Sequence, residues 1–104
     1  MKTDSLKDFL ADQLRLGGGL ECRKMFGGYG LYSTGKIFGI VFKSRLYFKT
    51  SEATRSIYEL RGMKPFRPHV RQRLKSYYEV PADVIEHAPT LTVWAEEAIK
   101  LTSD

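Results

Sequence analysis

Cys22 is followed by Arg23 and Lys24, and a thiol beside two cations is the kind of setting that favours thiolate. A nucleophile also needs a base placed beside it. The only histidines, His69 and His87, have no spacing tied to Cys22. One cysteine and two histidines likewise show none of the paired spacings of a zinc site. The residues therefore predict a non-enzymatic chain, with no catalytic, cofactor-binding or metal-ligating set.

Two further patterns could bind phosphate or bases. Gly28 to Gly30 forms a G-x-G, but it lacks the third glycine and the helix of a dinucleotide loop, and no G-x-x-x-x-G-K-[ST] occurs. Lys36 to Lys43, K-I-F-G-I-V-F-K, matches the RNP1 pattern of RNA-binding sheets at Lys36, Phe38, Gly39 and Val41. It has Ile37 where glycine belongs and Lys43 where an aromatic should stack a base. Charge alone leaves a third option. Arg67, Arg71, Arg73 and Lys75, on a proline-broken loop next to Tyr77 and Tyr78, are candidate phosphate contacts with stacking partners. This basic 61–75 segment carries the alternative reading, a weakly specific nucleic-acid-binding module.

Composition bounds what can position such residues. With 104 residues, 42% of them hydrophobic, the chain is expected to form one domain, 1–104, around a single core. The net charge of +5 is unevenly spread: residues 1–21 carry −1, residues 22–75 carry +11 and residues 76–104 carry −5. A basic middle followed by an acidic end suits nucleic acid or an acidic protein surface as partner, or simple self-neutralisation on folding. A lone cysteine, no apolar leader and no span-length apolar run predict a cytoplasmic protein away from the membrane.

Leu6, Phe9, Leu10 and Leu14 mark one face of a first helix, with Thr3, Asp4 or Ser5 as N-cap and Gly17-Gly18-Gly19 as its stop. The organising stretch follows: Arg23 to Tyr32, R-K-M-F-G-G-Y-G-L-Y, with the apolar runs Ile37 to Phe42 and Leu46 to Phe48 behind it. Within it Arg23, Met25, Phe26, Gly27, Gly28, Tyr29 and Gly30 form a structural motif. The glycines predict a sharply bent first strand over Glu21 to Tyr32, with a positive dihedral or a close backbone approach. Short turns at Ser33-Thr34-Gly35 and Ser44-Arg45 make the three strands an antiparallel meander. In the second strand, strict alternation places Phe38, Ile40 and Phe42 on one face and Ile37 and Val41 on the other. Ile37, Val41, Tyr29 and Tyr47 are thus the candidate partner face, left open for a homodimer or another protein.

Thr50 or Ser51 caps a short helix, Glu52 to Arg61, burying Ala53, Ile57 and Leu60. Met63 to Val70, broken by Pro65 and Pro68, reads as an irregular edge strand or loop rather than a central strand, and Lys75 to Val80 as a further strand. Ala82 to His87 and Thr90 to Leu101 read as helices separated at Pro89, the last with Leu91, Trp94, Ala95, Ala98 and Leu101 on one face. The fold class is α+β: two layers, an antiparallel sheet with helices on one face, in the order α-β-β-β-α-β-β-α.

In this order the blocks Arg23 to Tyr32 with Phe38-Gly39, L-Y-F-K at 46–49, E-A-T-R at 52–55, G-M-K-P-F at 62–66 and S-Y-Y-E-V-P-A-D-V at 76–84 are together specific. The chain resembles the N-terminal domain of the TfoX/Sxy family over roughly residues 5–101. The resemblance implies a secretion-chaperone-like fold and a regulator of competence genes that acts with a cyclic-AMP-receptor-type protein. It supplies no catalytic or cofactor residues. The family's helical C-terminal domain has no counterpart within the 104 residues. The expectation is therefore a transcription-associated regulator or adaptor working through protein contacts.

Overall fold

The first apolar stripe does form a helix, α1 (Thr3–Gln13), with Leu6 and Leu10 buried and Leu14 following them into the core. No side chain caps its start. Instead the Thr3 hydroxyl accepts the Ser44 N–H at 2.8 Å, so the expected cap residue ties the helix to a strand turn. The computed structural model describes residues 2–25, 27–69 and 72–102, and the side chains at 68, 69 and 72–75 lie outside that description.

The organising stretch is a hairpin rather than one bent strand. β1 (Glu21–Met25) and β2 (Gly28–Ser33) pair antiparallel, with Met25 opposite Gly28 and a two-residue connection between them. Gly27 has φ +83°, a backbone region that costs a β-carbon-bearing residue, and this lets the chain reverse in so few residues. Gly28 is needed for a different reason: a β-carbon there would run into the Val41 carbonyl oxygen. Phe26 lies outside the described residues.

β3 (Lys36–Phe42) and β4 (Arg45–Lys49) continue the meander. After α2 (Glu52–Leu60) come β5 (Pro65–His69) and β6 (Gln72–Glu79), then α3 (Ala82–Ile85) and α4 (Ala88–Lys100). Of the two readings of the proline-bearing stretch, irregular edge strand or loop, the structure shows the edge strand, paired with β6 as a hairpin with shifts in register. All pairings are antiparallel, and the six strands lie in the order β1-β2-β3-β4-β6-β5. β1 and the proline-bearing β5 are its margins. Pro89 falls in the first turn of α4 instead of ahead of it, and the His87 Nδ1 accepts the Thr90 N–H there.

All four helices pack on one face of the sheet. Leu6, Leu10, Leu14, Tyr58, Val84, Leu91, Ala95 and Ala98 meet Leu31, Phe38, Val41, Leu46, Phe48 and Tyr78 in one core. A second, smaller core of Ile40, Tyr47, Phe66 and Tyr77 forms on the opposite face, with Met25, Ile37 and Phe42 against it. The strand alternation expected for β3 fails at one point. Leu31 pairs with Gly39 but Tyr32 with Ile37, so Phe38 is an extra residue and the side chains change face across it. Phe38 and Val41 consequently share the helix side, and Ile37, Ile40 and Phe42 share the other. No helix among the described residues is long and apolar enough to cross a membrane.

Candidate functional face

The face expected to receive a partner is largely filled by the chain itself. Phe66, fully buried, lies with its ring 4.8 Å from that of Tyr47 and 5.4 Å from that of Phe42, centroid to centroid. Of the four residues named for that face, Ile37 and Tyr47 do sit there. Val41 and Tyr29 belong to the helix side because of the bulge at Phe38. Val41 is wholly buried, and the Tyr29 hydroxyl donates to Asp4 at 2.6 Å.

The apolar surface that does remain exposed is on α2 and α4. Ser51 begins α2 with a capping box: its hydroxyl accepts the Thr54 N–H, and the Thr54 hydroxyl accepts the Ser51 N–H at 2.9 Å. Gly62 and Met63 end it, donating to the Glu59 and Tyr58 carbonyls, the hydrogen-bond pattern of a Schellman stop. Only Tyr58 of this helix is buried, and it faces the sheet and α4. Ala53, Ile57 and Leu60, spaced i, i+4 and i+7, therefore turn outward, the reverse of the expected burial. Leu60 is 88% exposed and Ile57 50%, and across the gap on α4 Val93 is 56% exposed.

Between the two helices runs a groove of about 200 Å³. Thr54, Ile57 and Tyr58 form one wall and Val93, Trp94 and Glu97 the other, with Lys49 contributing from the end of β4. The Tyr58 ring meets the Trp94 ring edge-on in its floor. Burial first, and then the nearby Glu97 charge, push the Tyr58 phenol well above the ordinary tyrosine range.

The remaining sequence candidates disperse. Cys22 is half-buried, and burial pushes its thiol up; this outweighs the nearby cation, which is Lys7 rather than Arg23 or Lys24. Arg23 instead binds Glu21 at 3.1 Å and lies over the Tyr32 ring at 4.5 Å. His87 is engaged with the Thr90 hydroxyl at 2.7 Å, and the His69 side chain lies outside the described residues. Of the basic set, Arg67 stands exposed on β5, while Arg71 and the side chains of Arg73 and Lys75 lie outside the described residues.

A family model, that of the TfoX N-terminal domain, matches residues 12–101. The chain belongs to this family. The match spans nearly the whole chain and includes both walls of the α2–α4 groove, so the groove is part of the TfoX N-terminal domain and not an appendage to it. A search of curated proteins finds no match. Sequence reasoning missed the groove because i, i+4, i+7 spacing identifies an apolar stripe without saying which way it points. The available signal was Tyr58, a large aromatic on the opposite side of the same short helix.

Proposed function

We propose that this TfoX N-terminal domain works by binding, not catalysis, as a transcription-associated regulator or adaptor in competence control that acts through contacts with another protein. The α2–α4 face is its contact surface. The observation that carries this reading is that two of the three exposed large hydrophobics among the described residues, Ile57 and Val93, line one groove, and the third, Leu60, lies three residues on from Ile57 along the same outward stripe of α2. Scattered exposed apolar residues need no explanation, but a gathered set beside a groove is the mark of an interaction site. A cyclic-AMP-receptor-type regulator is the partner that family membership suggests, in the cytoplasm.

Capture of proteins by the tagged chain, with and without nuclease, tests the reading against Leu60→Asp and Val93→Asp variants. Nuclease-resistant capture of transcription proteins that both substitutions abolish supports it. Capture unaffected by either substitution overturns it. A second reading, weakly specific nucleic-acid binding, draws on the +11 charge of residues 22–75 and on exposed Arg67, with Arg71, Arg73 and Lys75 beside it in sequence. Nuclease-sensitive capture favours that one.

A further inference from the structure

We draw no further inference here: the strongest candidate, the apolar groove between α2 and α4, sets Lys49 against Glu97 in the groove and Arg55 and Arg61 against Glu52 and Glu59 along α2 and its C-cap, and with these charges balanced nothing in the structure shows what covers it.

Discussion

The Tyr58 ring stands edge-on to the Trp94 ring, with centroids 4.8 Å apart and planes at 64°. This contact is the main hold of α4 on α2, because Tyr58 is the buried residue of α2 and its other ring neighbour, Tyr78, is 6.2 Å away on the sheet. Tyr58→Ala should therefore destabilise the fold by about 3–5 kcal/mol, as buried aromatic truncations do. Leu60→Ala, on the same helix but facing out, should stay within about 0.5 kcal/mol. Urea unfolding followed by Trp94 emission measures both, and equal effects would refute the orientation of α2.

The Tyr58 phenol also predicts an alkaline response. Its pKa is raised in the folded chain, so its neutral form contributes stability that is fully present below the ordinary value of about 10 and is lost as pH rises beyond it. Tyr58→Phe keeps the ring and removes the ionisation. Its melting temperature should fall less steeply above pH 10 than that of the parent. Some fall should remain, since burial raises Tyr47 and Tyr77 as well.

At the C-terminal end of α2, just past Tyr58, Arg61 donates to both oxygens of Asp83 at 2.6 and 2.7 Å, joining the end of α2 to α3. That hydrogen bond lowers the Asp83 pKa, so its contribution is present above the ordinary carboxylate value and is lost as pH falls through the lowered one. Asp83→Asn should melt slightly below the parent at neutral pH, and the two melting curves should converge as pH drops below about 4. A constant gap across the range would assign the difference to something other than this pair.

The β1–β2 hairpin separates two uses of glycine. Gly27→Ala should cost more than about 1 kcal/mol because of its positive φ, and Gly27→Asn should cost less than alanine. Gly28→Ala should cost at least about 1–3 kcal/mol, because the Val41 carbonyl it meets is backbone and yields little. Thermal melts rank the three variants.

Binding of duplex DNA by the isolated chain should be weak and non-specific, in the range of roughly 10⁻⁴ to 10⁻⁶ M near physiological salt. Replacing Arg67 should reduce the salt slope by about one if it contacts phosphate. Titration of duplexes of different sequence at several salt concentrations checks this. Tight, sequence-selective binding would favour the basic segment over the helix face as the functional site.

Much of the architecture was legible in residue spacing, since the turns, the helix stops and the alternation in β4 each depend on a few neighbours. What was not legible depends on contacts distant in sequence. The bulge at Phe38 is set by pairing with β2 and packing of the Phe38 ring against Phe48, 5.9 Å away, and it reversed the faces expected for Ile40, Val41 and Phe42 while leaving Ile37 where it was placed. Phe66 reads as part of a proline-broken edge strand or loop with no face assigned to it, and it closes the second face because the β5–β6 hairpin carries it there. The orientation of α2 followed from Tyr58 finding Trp94, a partner 36 positions along the chain that no local pattern announces.

The margins of the sheet limit how this domain can associate. An unpaired strand edge is a template for adding another chain's strand. On β5 the prolines at 65 and 68 remove two backbone donors, and on β1 the outermost strand carries Glu21, Arg23 and Lys24 along its five residues. Strand addition is thus obstructed on both sides, and growth of the sheet into dimers or fibres is disfavoured at high concentration. A protein with closed margins can expose a leucine as fully as Leu60 and remain dispersed, because that surface offers side chains to a partner without offering backbone to its own copies.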